Sequence, residues 1–154
     1  MFNLVPEKVT GAGDIKRTGC AIGSAKALAI ACAAQQHSSL TLVITNDSDE
    51  ATRLTAELEF FLGNKLPVYN LPDWETLPYD VFSPHQDIIS ERIAALYALP
   101  GLDKGVLVVP VSTLMHRLTP KSFIVDQGLR LNTDERLDIE AFKAQLVDTG
   151  YQVV

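Results

Sequence analysis

The sequence predicts an α/β fold built around a parallel sheet. Two observations carry that expectation. Three short apolar runs, Leu40–Thr45, Leu66–Asn70 and Gly105–Pro110, have the composition of buried strands. Between them lie segments whose apolar residues recur at helical spacing. Strands that alternate with amphipathic helices pack as a parallel sheet covered on both faces.

Residues 1–18 hold the turn-prone Gly11-Ala12-Gly13 and little periodicity. From Ser24 to Gln36 the chain is dense in alanine, the best helix former, so a helix that other elements approach closely is predicted there. The run Leu40-Thr41-Leu42-Val43-Ile44-Thr45 is predicted as a buried strand. Asn46-Asp47-Ser48 then supplies helix N-cap residues. Ala51, Leu54, Leu58, Phe61 and Leu62 follow on one helical face, and Gly63 is a natural stop. After the second strand, Leu71 to His85 carries Pro72, Pro78 and Pro84 and cannot be regular helix. A helix with Ile89, Ile93, Leu96 and Tyr97 on its core face comes next and ends at Pro100-Gly101. The third strand, Gly105–Pro110, leads into a short helix over Ser112–Arg117.

The pattern changes after Pro120. Gly128–Leu131 reads as a strand, and Ile139, Phe142, Leu146 and Val147 mark a helix closed by Gly150. Tyr151–Val154 then starts a further strand at the last residue. This layout predicts one α/β domain over residues 1–122 and the start of a second, truncated α/β domain over 123–154.

The 19 acidic residues outnumber the 13 basic ones, for a formal net charge of −6. A domain that holds nucleic acid by itself needs a basic face, because Lys and Arg against phosphate supply most non-specific affinity. The bases here are scattered, with Lys16-Arg17 the only adjacent pair. Independent DNA binding is therefore not expected. Cys20 and Cys32 form no CxxC, and His37, His85 and His116 stand apart, so no metal site is predicted. No charged leader precedes an apolar run, and no stretch is long enough to span a bilayer. A cytoplasmic protein without membrane contact is expected.

The segment Gly19-Cys20-Ala21-Ile22-Gly23-Ser24-Ala25-Lys26-Ala27 precedes a helix and resembles a phosphate loop with pieces missing. The working motif is G-x-x-x-x-G-K-[ST]. Its glycines let backbone N–H groups curl round phosphates, its Lys reaches the β- and γ-phosphates, and its hydroxyl holds Mg²⁺. With Lys26 as the motif lysine, Cys20 and Ala25 replace the two glycines and Ala27 replaces the hydroxyl. Gly23, Ser24 and Lys26 remain as a relic, and neither ATP nor Mg²⁺ is expected to bind tightly. A working site also needs an acid at a strand end. The candidates Asp47, Asp49 and Glu50 sit at a helix start, where capping and the helix dipole account for them. No catalytic residue is assigned.

Further along, Trp74-Glu75-Thr76-Leu77-Pro78-Tyr79-Asp80, Ser83-Pro84-His85-Gln86-Asp87 and Val109-Pro110-Val111 are specific anchors. With them the chain resembles the bacterial transcription-repair coupling factors (the Mfd family), densely from Leu71 to about Pro120 and more loosely to the end. Residues 1–70 match mainly in layout. The excision-repair protein UvrB shares this architecture, but it has an intact phosphate loop and a long DNA-clamping β-hairpin after its own Tyr-Asp stretch. Only a few residues separate Tyr79-Asp80 from the helix near Gln86, and no hairpin fits there.

The resemblance implies a degenerate P-loop NTPase-like (RecA/UvrB-like) domain, followed by the first elements of a UvrA-binding type of domain. It also implies a parent protein that uses ATP and Mg²⁺ in a downstream motor to translocate on DNA, displaces lesion-stalled RNA polymerase and recruits UvrA. In such a parent this region packs against other domains and restrains the motor, and most of the UvrA surface lies downstream. Three readings follow: a partner-binding and regulatory module, an active nucleotide-binding domain of a UvrB-like protein, and a DNA-binding module. The acidic balance and the missing hairpin disfavour the last.

Trp74, Glu75, Tyr79, Asp80, Pro84, Asp87 and Arg92 form the interface or structural signature. A rigid turn there and a binding platform are compatible readings. Trp74 is either a loop anchor or an interface hot spot. Asp87 and Arg92 are either a structural ion pair or interface residues.

Overall fold

The computed structural model describes residues 6–7, 9–17, 19, 21–76, 81, 83–127 and 136–148. The chain divides into two compact units, Met1–Leu118 and Thr119–Val154.

In the first unit, α1 (Ala25–Gln36) leads to β1 (Leu40–Thr45), α2 (Ser48–Leu62), β2 (Val68–Asn70), α3 (Gln86–Ala98), β3 (Gly105–Pro110) and the single turn α4 (Val111–Leu114). The three strands form one parallel sheet in the order β1-β3-β2. Leu40 pairs with Gly105 and Thr45 with Pro110 at the two ends of one ladder, and Val68 pairs with Val106 in the other. Both β1–α2–β2 and β2–α3–β3 are crossover units, which parallel pairing requires.

β3 is apolar at every position because it lies at the centre of the sheet and both of its faces are covered. Its alternation sorts the core into two layers. Val106 and Val108 pack with Val43 and with α1 and α2, through Ala27, Ala31, Ala34, Ala51, Leu54, Leu58 and Leu62. Leu107 and Val109 pack on the opposite side with Leu71 and Ala95. The alanines of α1 are the buried residues of that helix, as a close helix approach requires.

Helix α2 starts and stops where its chemistry says it should. The Asp47 carboxylate accepts the Glu50 N–H at 2.7 Å, satisfying a donor that the first turn leaves free. Gly63 ends the helix at φ +51°, a left-handed backbone that a side chain rarely tolerates.

Four expectations are corrected. β1 is an edge strand of the sheet among the described residues, and only Val43 and Thr45 are buried; Leu42 and Ile44 are 50% and 55% exposed. α3 buries Arg92 and Ala95, whereas Ile93 and Tyr97 stay exposed. β2 begins at Val68 rather than Leu66, and the last helix of this unit ends at Leu114 rather than Arg117.

The second unit holds α5 (Lys121–Gln127), which the sequence reading did not anticipate, and α6 (Ile139–Asp148), which it did. Asp138 caps α6, accepting the N–H groups of Glu140 at 3.0 Å and Ala141 at 3.2 Å. The predicted strands at Gly128–Leu131 and Tyr151–Val154 and the closing Gly150 lie outside the described residues. No helix among the described residues is long and apolar enough to cross a membrane.

Candidate functional site

Two regions hold the residues singled out by the sequence. The first is the phosphate-loop relic ahead of α1. Gly23 keeps a left-handed backbone at φ +61°, and Ser24 takes the N-cap position of α1 without a side-chain capping bond. Lys26 lies in the first turn of α1 and does not point into an empty loop. Its ammonium donates to the Glu50 carboxylate, across from α1 to α2. The other Glu50 oxygen accepts the Asn46 N–H at 3.1 Å.

The Glu50 carboxylate is held at both oxygens, and its side chain is only 17% exposed. The hydrogen bond from Lys26, and next the backbone N–H of Asn46, hold its carboxyl below the usual carboxylate range. This sets a sign for acid stability. A group whose pKa is depressed on folding adds stability above its unfolded pKa, near 4.3, and loses it as pH falls through the folded value. Glu50→Gln is therefore expected to flatten the acid limb of the stability–pH curve below about pH 4.5. Thermal melts between neutral pH and pH 3 check this; curves that fall in parallel would remove Glu50 from the acid response.

Asp47, Asp49 and Glu50 line an open concavity with Asn46 and Arg53, beside the C-terminal end of β1. These three carboxylates face a single cation there, which is the wrong balance for polyphosphate. Asp47 is engaged as the cap of α2, as the sequence reading preferred. Among the described residues no group of three or more His, Cys, Asp or Glu side chains is placed to hold a metal ion. Cys20, at the first-glycine position of the relic, lies outside the described residues. The lysine that would reach the phosphates is here paired with a carboxylate.

The second region is the strap that follows β2. Leu71 N–H bonds the Val108 carbonyl at 2.9 Å, continuing the sheet for one residue. The chain then turns through Pro72, Asp73 and Trp74. The Asp73 carboxylate accepts the Trp74 N–H at 2.7 Å and lies 3.6 Å from His116 Nδ1. Arg92, only 2% exposed, reaches up from α3. It donates to the Pro72 carbonyl, and its guanidinium carbon lies 4.2 Å from the Trp74 ring centroid. Burial pushes the Arg92 pKa down, and the Asp73 charge opposes that shift. Stacking with a desolvated guanidinium is a favourable use of an indole face.

Glu75 follows with φ +57°, the only non-glycine residue with a left-handed backbone among those described. Strain of that kind costs about 1–3 kcal/mol and persists only where the surroundings fix it.

The signature residues thus separate. Trp74 and Arg92 come together as a stack. Glu75 is exposed on the strap, and Pro84 is half-buried just ahead of α3. Asp87 lies at the first turn of α3, where its backbone N–H donates to His85 Nδ1 at 3.3 Å, and it is not the partner of Arg92; the carboxylate near Arg92 is that of Asp73. Tyr79 and Asp80 lie outside the described residues. Asp73, His116 and the pairing role of Glu50 were missed by the sequence reading. The partners that define these roles, Arg92 and His116 for Asp73 and Lys26 for Glu50, lie 19 or more residues away, beyond the reach of local patterns.

No protein-family profile matches the chain. Curated relatives do. The chain is 44% identical to the transcription-repair-coupling factor of Escherichia coli (strain K12) over 143 residues, covering 93% of this chain and 12% of that protein. It is 40% identical over 149 residues to the protein of the same name from Haemophilus influenzae, covering 97% of this chain and 13% of the relative. The Staphylococcus aureus protein of that name is 33% identical over 130 residues, or 84% of this chain and 11% of the relative. The chain therefore spans about one eighth of the length of the relatives it matches. High identity over nearly the whole chain, on an α/β unit with the Trp74–Arg92 strap, makes this chain a member of the transcription-repair coupling factor family, corresponding to its N-terminal module.

Proposed function

We propose that this chain is a non-catalytic, partner-binding and regulatory module of a transcription-repair coupling factor. In this reading the whole protein couples transcription to nucleotide excision repair in the cytoplasm. It displaces RNA polymerase stalled at a lesion with an ATP-driven, Mg²⁺-dependent DNA motor carried by other domains, and it recruits UvrA. The module packs against those domains and restrains the motor. The unit Thr119–Val154 is the start of the domain that carries most of the UvrA surface. RNA polymerase and DNA are met through the rest of the protein, consistent with the net charge of −6 here.

One observation carries the non-catalytic half of this reading. Lys26, the single cation left in the phosphate-loop relic, is committed to Glu50. The names of the relatives support the repair half. The strap supports the binding half, because a stacked indole beside a strained, exposed Glu75 is a preorganised platform.

Calorimetric titration of the chain with Mg²⁺-ATP and, in parallel, with purified UvrA tests the proposal. No heat with ATP and saturable heat with UvrA is the expected pair of results. Micromolar ATP binding would replace this reading with a nucleotide-binding domain. Silence from both ligands would leave the scaffold role standing and would place the UvrA surface beyond Val154.

A further inference from the structure

The degenerate glycines and the lost hydroxyl explain why the relic loop lacks strong phosphate contacts. They do not explain what Lys26 does instead. A surface lysine can keep its ammonium in water at little cost. Here the ammonium is joined to a carboxylate that is itself fixed. Glu50 sits in the first turn of α2, with its backbone N–H on Asp47 and its second oxygen on the Asn46 N–H. One anion thus receives an ammonium and a backbone N–H. In a working phosphate loop the same pair of donor types receives phosphate oxygens.

We propose that Glu50 acts as an internal anion seated on Lys26, so that phosphate is excluded from this loop by an occupying carboxylate and not only by lost motif residues. The Lys26 side chain is 46% exposed and the Glu50 side chain 17%, so the cation is the more accessible member of the pair. A phosphate approaching Lys26 must displace Glu50 or share the ammonium with it. Glu50 also lines the neighbouring concavity with Asp47 and Asp49, where Arg53 is the one lining cation, so the charge behind the pair is mainly negative. Like-charge repulsion at such short range is strong even near a surface. The loop is closed to phosphate in its ground state.

This inference deepens the module reading above and rests on it for the absence of nucleotide turnover. The test uses inorganic pyrophosphate on the full 154-residue chain at low ionic strength, where exposed charge is least screened. The variants are Glu50→Gln, Glu50→Ala and the double variant Lys26→Ala/Glu50→Gln. Glu50→Gln keeps an acceptor oxygen for Lys26 and the cap geometry, and removes only the charge. Both single variants are expected to bind pyrophosphate at least about tenfold more tightly than wild type, and the double variant is expected to return to the wild-type value.

Single variants that bind no more tightly than wild type overturn the proposal. So does a gain that survives removal of Lys26, which would make the effect one of general charge. Should both single variants fail to fold by circular dichroism, acetylation of the wild-type chain decides. Lys26 must react more slowly than the exposed Lys65, and equal rates overturn the pairing. Mg²⁺-ATP binding by the wild type would sink the module reading itself, whereas an unresponsive Glu50→Gln sinks only the role given to Glu50.

Discussion

Arg92→Ala is expected to destabilise the chain by about 3–5 kcal/mol, a large share of the 5–15 kcal/mol that holds a typical domain together. Three losses combine. The Pro72 carbonyl loses its donor, the Trp74 ring loses the cation stacked on it, and Asp73 loses the nearest buried positive charge. The truncation also leaves a void under the strap, next to residues that are already packed. Trp74 is the only tryptophan, so its emission reports on the strap directly. Urea unfolding followed by Trp74 fluorescence should show a lower midpoint and a red-shifted native baseline. Arg92→Lys should fall between, because a lysine keeps charge but loses the planar stack and the fork of donors. Arg92→Met separates packing from charge. A methionine variant as stable as wild type would show that volume, not the cation, holds the strap. A loss below about 1 kcal/mol for Arg92→Ala would mean that the strap is held from elsewhere.

The cost side of that arrangement is visible as well. Among the described residues, Arg92 Nε is buried without a hydrogen-bond partner, and so are Thr113 Oγ1 and Asn70 Oδ1. Each unpaired buried polar atom costs on the order of 1–3 kcal/mol. The strap thus combines a favourable stack with polar atoms that lack partners among the described residues. Trp74 and Glu75 are the side chains it presents among the described residues, and they fall in the stretch where the resemblance to coupling factors is densest.

How much of this was legible follows from the range of the interactions involved. Leu40–Thr45 and Gly105–Pro110 were readable to the residue, because a β-branched apolar run bounded by polar or turn residues has few other fates. The α2 boundaries were readable from Asp47 and Gly63, which act on their own neighbours. The face of α3 was misread for the opposite reason. Ile89, Ile93, Leu96 and Tyr97 outweigh one arginine in any periodicity argument, yet the Pro72 carbonyl and the Trp74 ring, both supplied by the strap, drew Arg92 inward. Exposure of Leu42 and Ile44 was not readable either, since strand composition is the same for a central and an edge strand. The phosphate-loop relic was visible as a defect in a motif. The partner that captures its lysine was not, because Lys26 and Glu50 meet only after α1, β1 and α2 have packed.

Leu58→Ala is the second substitution with a large expected effect, about 3–4 kcal/mol. Leu58 is fully buried on α2 and belongs to the layer formed by α1, α2 and one face of the sheet. What makes the site costly is the identity of its neighbours. Ala27, Ala31, Ala34 and Ala51 have no side-chain torsions with which to fill a void, and Val43, Val106 and Val108 are stiff at Cβ and tied to strands. A cavity made there stays open, which places the loss in the upper part of the range seen for buried leucines. Phe60→Ala on the same helix is the control. Phe60 is 82% exposed, so its loss should lie within about 0.5 kcal/mol despite the larger side chain removed. Equilibrium urea melts of the two variants make the comparison, with an unchanged slope showing that the unfolded state is the same. If Leu58→Ala costs no more than Phe60→Ala, the alanine-lined layer is not the close-packed face of this unit, and the rigid seat that α2 gives to Glu50 opposite Lys26 goes with it.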